Sequence, residues 1–316
     1  MTTDIANPKI TIPLEKATGG RYIIKLDASL YSNSSCLRKL YYTGIRGLRT
    51  EGRDFKMEYG TAFHKAMQVW YATKNKEDAL DIAIKHYSDP TIHIPETDWR
   101  DIGHLVATLT QYFKHYKADG LEVAHINEKP LLEQRFAVPY TTDKRLVDVI
   151  LCGTIDMIGT LNGMPVICDH KTTSMASPDN YLAAYNLSPQ LMFYTYIYHK
   201  LFPDEKRGSI INGIFLSRTG KTKFKRSPII EFTDEMINNF ETHLQSIINT
   251  LMTGVQKIIK GHSIEEIFST NFNCCNAKFG ICKYAPLCTT PGQYNKESII
   301  DTMFETLSYN PLNFQK

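Results

Sequence analysis

From residue 31 to about Tyr116 the chain has apolar side chains at the spacing of amphipathic helices. The segment MEYGTAFHKAMQVWYA contains one apolar stripe and predicts such a helix, with Phe63, Ala66, Met67 and Trp70 on one face. The segments DALDIAIKHYS and IGHLVATLTQYFKHYKA have the same periodicity and predict two more helices. We therefore expect this part to be helical, whereas residues 1–30 lack the pattern and are expected to form an irregular N-terminal segment.

The pattern changes near Pro130, where short runs rich in β-branched residues are separated by turn residues. LLEQRFAVPY, RLVDVILCGTIDMIGT and MPVICDHKTT predict three strands, and Asn162-Gly163 predicts a hairpin between the last two. A helix beginning with Pro189 follows, and then two strands flank a turn at Gly220. TDEMINNFETHLQSIINTLMTGVQKII predicts a long helix. Helices before and after a central sheet indicate an α/β or α+β fold.

Composition adds few constraints to this pattern. The chain has 316 residues, of which 42% are hydrophobic and 22% charged, and this is ordinary globular composition. The net charge of +3 is too small to indicate a nucleic-acid partner by itself. No apolar run is long enough to cross a membrane and no apolar signal core is present, so we expect a soluble cytoplasmic protein.

The third predicted strand ends in an acid and a base, within the stretch VICDHKTTS. Asp169 and Lys171 point to one face of a strand, and Asp156 on the preceding strand is expected to converge with them. Two carboxylates repel each other unless a hard cation such as Mg²⁺ binds both, and the backbone carbonyl of His170 can add a further oxygen ligand. Lys171 would then orient a water or stabilise charge on a phosphate. A cross-strand ion pair between Lys171 and either acid is the alternative.

Two helical pairs add polar side chains that can reach such a site. His64 lies one turn after Gly60, which leaves room for a ligand or another backbone to approach. Gln190 and Tyr194 are also four residues apart, so their amide and phenol groups face the same way over the strand ends. Taken singly, residues of these types are more typical of an ordinary helix surface or core.

The order of these motifs is more specific than any one of them. GTAFH, GTID, DHK and QLMFY follow one another as Gly-x-x-x-His, Gly-x-x-Asp, Asp-x-Lys and Gln-x-x-x-Tyr. This order resembles the RecB-type branch of the PD-(D/E)XK nucleases over residues 31–290. The resemblance implies a single nuclease domain with a restriction-endonuclease-like core, in which helices flank a small mixed sheet. We divide it into a helical part (31–129), a catalytic sheet and helix (130–232) and a long helix with a cysteine cluster (233–290), followed by a polar tail (291–316).

The resemblance also implies a role for each acidic or basic residue that matches these motifs. His64, Asp156 and Asp169 would bind Mg²⁺ or Mn²⁺. Lys171 would be the catalytic lysine and would assist a water that attacks a phosphodiester. Glu133, on the first predicted strand, would lie behind the metal ligands and support them.

The helix after the third strand would complete this site. By the same resemblance, Gln190 and Tyr194 would support the catalytic residues and contact the DNA strand. His170 departs from the family pattern, which has an aromatic or apolar residue between the acid and the lysine. Its side chain is expected to point away from the metal, so only its backbone would contribute.

Four of the seven cysteines lie within residues 274–288 and predict a metal centre, because a reducing compartment disfavours disulfides. Cys274 and Cys275 are adjacent, so only one of them joins Cys282 and Cys288 easily, and Cys36 is the candidate fourth ligand. This arrangement resembles the 4Fe–4S staple of the AddB helicase-nucleases and of CRISPR-associated nucleases, although their usual Cys-x2-Cys step is absent. Zinc and a set of unrelated buried thiols are the alternatives.

A basic hairpin is the candidate DNA-binding surface. The segment SRTGKTKFKRS places five cations around one turn, namely Arg218, Lys221, Lys223, Lys225 and Arg226. The three lysines alternate along a strand, so they share a face and can contact successive phosphates. The alternative is an exposed edge strand whose lysines prevent aggregation.

These features together predict a metal-dependent DNA nuclease. An exonuclease acting on single-stranded DNA or DNA ends is favoured, in recombination, repair or phage DNA processing, because the resemblance is to end-processing enzymes. No helicase motif is present, so a separate helicase or recombination protein is a candidate partner. A non-catalytic DNA-binding or recombination-assembly module that keeps the nuclease fold is the alternative, and the intact Asp169-x-Lys171 pair argues against it.

Overall fold

The computed structural model describes residues 14–17, 20–50, 52–140, 146–277 and 280–310. The strands of these residues are β1 (Tyr22–Leu26), β2 (Leu48–Thr50), β3 (Leu121–Val123), β4 (His125–Ile126), β5 (Lys129–Pro130), β6 (Leu132–Pro139), β7 (Val147–Leu161), β8 (Met164–Thr173), β9 (Gly208–Phe215), β10 (Lys223–Arg226), β11 (Asn276–Ala277), β12 (Gly280–Ile281) and β13 (Phe304–Thr306). The helices are α1 (Ala28–Ser32), α2 (Leu37–Leu40), α3 (Phe55–Thr73), α4 (Lys76–Tyr87), α5 (Ile102–His115), α6 (Pro178–Ala183), α7 (Pro189–Leu201), α8 (Asp234–Ile259), α9 (Ile264–Ile267), α10 (Ala285–Thr289) and α11 (Gln293–Met303).

The chain forms two compact units. Unit 1 consists of Met1–Glu51, Phe136–Gly153 and Asn239–Lys316, and unit 2 consists of Gly52–Arg135 and Thr154–Asn238. Strands β6 and β7 each have one part in either unit. The division into a single domain of residues 31–290 stays a prediction.

Unit 2 contains a mixed sheet built around β8. The second half of β7 pairs antiparallel with β8 through the Asn162-Gly163 turn, where both residues have positive φ angles of 49° and 82°. An asparagine followed by glycine adopts these angles readily, so the local sequence determines the register of the hairpin. Strand β9 runs parallel to β8, and β10 pairs antiparallel with β9. This mixed sheet with packed helices confirms the predicted α/β class.

Helices α3, α4 and α5 pack in unit 2 as their apolar periodicity predicts. Asp54 caps α3 by accepting a hydrogen bond from the backbone N–H of Lys56. The apolar stripe of α3 is buried in a core that also includes Met157, Cys168 and Ile210 from the sheet. The helical periodicity of this region therefore identified the face that packs against the strands.

Unit 1 contains secondary structure that the sequence pattern did not reveal. Strand β1 lies in the segment expected to be irregular and pairs parallel with the first half of β7, from Tyr22 opposite Val147 to Leu26 opposite Leu151. Residues 291–306 were expected to be a polar tail, but they form α11 and β13, and β13 pairs with β2. Both pairings join distant parts of the chain, so no local pattern predicts them. The expectations for residues 1–13 and 311–316 lie outside the described residues.

None of the helices in the described part of the chain combines the length and the apolar character that crossing a membrane requires.

Candidate active site and cysteine cavity

The hairpin of β7 and β8 brings two acids together in unit 2. Met157 lies opposite Cys168, so Asp156 and Asp169 are at the same end of the paired region. The side chain of Asp169 is only 2% exposed, and its Oδ2 lies 2.6 Å from Nζ of Lys171. An ion pair of Lys171 is therefore present, but it joins two residues of the same strand, β8, rather than two strands.

Helix α3 places His64 against this pair of strands. His64 Nδ1 lies 3.2 Å from Asp156 Oδ2 and 4.0 Å from Glu133 Oε1. A side chain at Gly60 would come within 3.3 Å of the hydroxyl of Thr172 on β8, so a glycine permits α3 to approach the strand closely. The nitrogen or oxygen atoms that His64, Glu133 and Asp156 offer lie within 4.8 Å of one another.

The charges of this group shift the pKa of each of its members. Burial disfavours protonation of His64, but the negative charge of Asp156 and the hydrogen bond to it outweigh burial and raise the pKa of His64 to about 9. Burial and repulsion from Asp156 and Asp169 raise the pKa of Glu133 to about 7. Burial would raise the pKa of Asp156, but His64 and Lys171 hold it well below its usual range. The carboxylate of Asp156 therefore stays ionised because cationic side chains lie next to it.

The donor set fits a divalent cation. Carboxylate oxygens are suitable ligands for Mg²⁺ or Mn²⁺, and an imidazole nitrogen is a common ligand of transition-metal ions. Asp169 Oδ2 is buried, and apart from the ion pair with Lys171 it has no hydrogen-bond donor in suitable geometry. Burial raises the pKa of Asp169, and Lys171 opposes this rise. A cation bound by Asp156, Glu133 and His64 would relieve the repulsion among these acids.

Helix α7 contributes the two predicted polar residues to the same place. Ser188 caps this helix by accepting from the backbone N–H of Leu191. Gln190 Nε2 lies 3.3 Å from Asp169 Oδ1 and 3.0 Å from the hydroxyl of Tyr194. Burial and the negative charge of Asp169 raise the pKa of Tyr194, so its phenol stays protonated. The structure therefore brings together all the residues that the four motifs singled out.

Two residues are more closely involved than the sequence pattern indicated. Glu133, expected behind the metal ligands, is within the group of His64 and Asp156, and its backbone has a φ of 47°, which is uncommon for any residue but glycine. The backbone N–H of His170 donates a hydrogen bond to Asp156 Oδ2 over 2.8 Å. The buried imidazole of His170 is hydrogen-bonded to the side chain of Asn212. Alternation along a strand gives the direction of a side chain, but not its partners.

The basic hairpin divides into exposed and paired cations. Arg218, Lys221 and Lys223 are exposed, and Lys225 lies 2.5 Å from Asp179 while keeping half of its side chain exposed. Arg226 is different, because its guanidinium makes two hydrogen bonds to Asp119, at 2.5 and 2.7 Å. The expectation that Arg226 binds DNA therefore conflicts with its ion pair, since a phosphate would have to displace a nearly buried carboxylate.

Five cysteines of unit 1 lie around one small cavity. A small cavity of about 10 Å³ is lined by five cysteines together with Lys39 and Tyr284, and these cysteines are Cys36, Cys274, Cys275, Cys282 and Cys288. Burial and the neighbouring cysteines raise the pKa of Cys288, although the charge of Arg38 opposes the rise. The expectation that these cysteines bind a metal centre stays a prediction.

The family model of the PD-(D/E)XK nuclease superfamily matches residues 29–289, which include every residue of the candidate active site. No curated protein matches the chain. A proposed exonuclease from Eubacterium rectale is 12% identical, with a TM-score of 0.40 over 75% of this chain and 80% of that one. The alkaline exonuclease LHK-Exo from Laribacter hongkongensis is 13% identical, with a TM-score of 0.29 over 65% of this chain and 96% of that one. The chain belongs to the PD-(D/E)XK nuclease superfamily.

Proposed function

We propose that this protein is a Mg²⁺- or Mn²⁺-dependent nuclease that hydrolyses phosphodiester bonds in DNA. The observation that carries the proposal is the convergence of His64, Glu133 and Asp156 beside the buried pair of Asp169 and Lys171. These residues supply both the anionic ligands for a divalent cation and a fixed ammonium group next to them.

The side chains of the site have distinct tasks in this reaction. A divalent cation, when bound, supplies positive charge and lowers the pKa of a coordinated water. Burial opposes the charge on Lys171, but Asp169 and Asp156 raise its pKa, so it presents a charged ammonium to the negative charge that develops on the phosphate. Gln190 holds Asp169 in place through its amide. A new oxygen–phosphorus bond forms from water, which gives up one proton to solvent, and the bond to the leaving oxygen breaks as that oxygen takes up a proton.

We also propose that the nuclease prefers single-stranded DNA or DNA ends. It is supported by the resemblance to end-processing nucleases and by the exposed cations at Lys221 and Lys223 on the hairpin of unit 2. A role in recombination, repair or phage DNA processing, a separate helicase partner and a cytosolic location stay predictions.

The cysteine cavity is proposed to hold a 4Fe–4S cluster, with zinc as the alternative. The support is that Cys36 and the late cysteines line one cavity. Anaerobically purified protein should be brown and contain iron and sulfide, whereas a colourless protein with one zinc per chain would overturn the cluster assignment. Cys36→Ser should lower the metal content, and Cys152→Ser is the matched control because Cys152 is a buried core residue elsewhere in unit 1.

Cleavage assays test the proposed activity. Linear single-stranded DNA labelled at either end, linear duplex and circular single-stranded DNA are incubated with protein in Mn²⁺ or in EDTA. We expect Mn²⁺-dependent loss of the linear substrates and an intact circle. Asp156→Asn should abolish cleavage, and Asp81→Asn, an exposed acid on α4, should not. DNA binding without metal-dependent cleavage would refute the nuclease and favour the assembly module, and cleavage of the circle would indicate an endonuclease.

A further inference from the structure

His170 lies in a row of polar residues that crosses three strands of unit 2. Its Cα is paired with that of Asn212 on β9, and Asn212 is in turn paired with Arg226 on β10. Because directly opposite residues of neighbouring strands point to the same face, these three side chains project together. The residue that breaks the family pattern on β8 therefore has polar neighbours on both following strands.

The row is completed by hydrogen bonds to two helices and a loop. Asn212 Nδ2 lies 2.9 Å from His170 Nδ1 and 2.5 Å from the hydroxyl of Tyr112 on α5. That hydroxyl lies 2.8 Å from the hydroxyl of Tyr71 on α3, which donates to Asp119 over 3.0 Å. The two hydrogen bonds between Arg226 and Asp119 end the series. A continuous hydrogen-bonded network thus leads from the catalytic strand to an ion pair.

The network is buried, and this makes it unusual within an apolar core. Tyr112 and Asn212 are fully buried, and His170 and Tyr71 are 2% and 3% exposed. The side-chain acceptor of Asn212, its Oδ1, is buried and has no hydrogen-bond partner. A buried acceptor without a partner destabilises the fold, and apolar residues would fill the same space without that penalty. Burial alone therefore does not account for these polar residues.

His170 connects this network to the candidate metal ligands. Its backbone N–H donates to Asp156, and its ring packs edge-on against the ring of His64 with 6.0 Å between the centroids. It also lies between Asp169 and Lys171 in the chain. His170 therefore contacts two of the residues that converge on the site, His64 through its ring and Asp156 through its backbone.

We propose that His170, Asn212 and Tyr112 are positioning residues, whose hydrogen bonds hold β8 and the ring of His64 in the geometry that binds the divalent cation. The inference rests on the proposed function, because it assigns these residues to the same site. Hydrogen bonds behind metal ligands fix the orientation of those ligands, and removing such partners typically lowers metal affinity or activity by about 10- to 100-fold.

The test compares two buried tyrosines that differ in their partners. Tyr112→Phe removes the hydroxyl that bonds to Asn212 and keeps the packed ring. Tyr87→Phe is the matched control, because Tyr87 is also buried in the core of unit 2, but its hydroxyl donates to the carbonyl of Arg100. Mn²⁺ affinity is measured by the loss of the electron paramagnetic resonance signal of free Mn²⁺ on titration with protein. The kcat and KM for DNA cleavage are measured separately.

We expect Tyr112→Phe to weaken Mn²⁺ binding about tenfold and to lower kcat with little change in KM, whereas Tyr87→Phe leaves all three unchanged. In a second pair, His170→Leu should match Tyr112→Phe, and His170→Asn, which keeps a polar atom facing Asn212, should recover most of the affinity. Equal Mn²⁺ affinity in Tyr112→Phe and Tyr87→Phe would overturn the inference and leave the nuclease proposal intact. A wild type that binds Mn²⁺ without cleaving DNA would overturn the nuclease proposal, and the affinities would still decide the positioning role.

Discussion

Replacing Lys171 by methionine should destabilise the metal-free protein as well as inactivate it. The side chain of Asp169 is 2% exposed and that of Lys171 is 24% exposed, and their charged atoms are 2.6 Å apart. Removing one partner of a buried ion pair costs about 3–5 kcal/mol, because the remaining charge is left without compensation. Since Lys171 is partly open to solvent, we take the lower end of that range, about 3 kcal/mol.

This loss corresponds to a measurable change in melting temperature. A domain of the size of unit 2, about 170 residues, shifts by about 2–4 °C for each kcal/mol, so we expect Lys171→Met to melt about 6–12 °C lower in EDTA. Mn²⁺ should recover most of the difference, because a cation bound by Asp156 would also offset the negative charge of the neighbouring Asp169. The double variant Asp169→Asn/Lys171→Met should melt close to wild type, since it removes both charges.

The measurement is thermal unfolding followed by circular dichroism, with and without Mn²⁺. A Lys171→Met variant that melts with the wild type in EDTA would refute the claim that the pair is buried and mutually dependent. A variant that is destabilised equally in EDTA and in Mn²⁺ would show that the cation does not bind next to Asp169.

Four further predictions concern pH, salt and the cysteine cavity. Mn²⁺ must displace protons from Glu133 and His64, whose pKa values are about 7 and 9, so Mn²⁺ affinity measured by calorimetry should rise between about pH 6 and pH 9. Both pKa values lie above the ordinary values of 4.5 for glutamate and 6.5 for histidine. Without metal, the stability that the two protonated groups contribute is therefore present at low pH and is lost as the pH rises through 7 and then 9. A metal-free melting temperature that rises over this interval would contradict this. Lys223→Gln should reduce the salt dependence of DNA binding by about one phosphate contact. Lys225→Gln should reduce it by less, because Asp179 already pairs with Lys225. Equal slopes of log affinity against log salt concentration in the two variants would contradict this order. Cys282→Ser should lose metal by elemental analysis and melt earlier, and unchanged metal content would remove Cys282 from the ligand set.

Local features of the sequence predicted the parts of the fold that depend on neighbouring residues. The Asn162-Gly163 turn indicated the hairpin because these residues adopt positive φ angles at little cost. The apolar stripe of α3 indicated which face is buried. The residues that converge at the candidate site were found for a related reason, since strand alternation and helical spacing place Asp169 with Lys171 and Gln190 with Tyr194 on common faces.

The sequence by itself thus determined the longer helices and strands of unit 2, the motifs of a nuclease and the cysteines that share a cavity. It did not predict β3, β4 and β5, which lie in the part that was expected to be helical. Only the tertiary structure decided the partners: Glu133 joins His64, Arg226 pairs with Asp119, and β1 extends the pairing of β7. It also revealed that the side chain of His170 is hydrogen-bonded to Asn212, a residue 42 positions away. The physical reason is that turn and helix preferences act between near neighbours, whereas a buried polar group takes whichever partner the packed chain brings within about 3 Å.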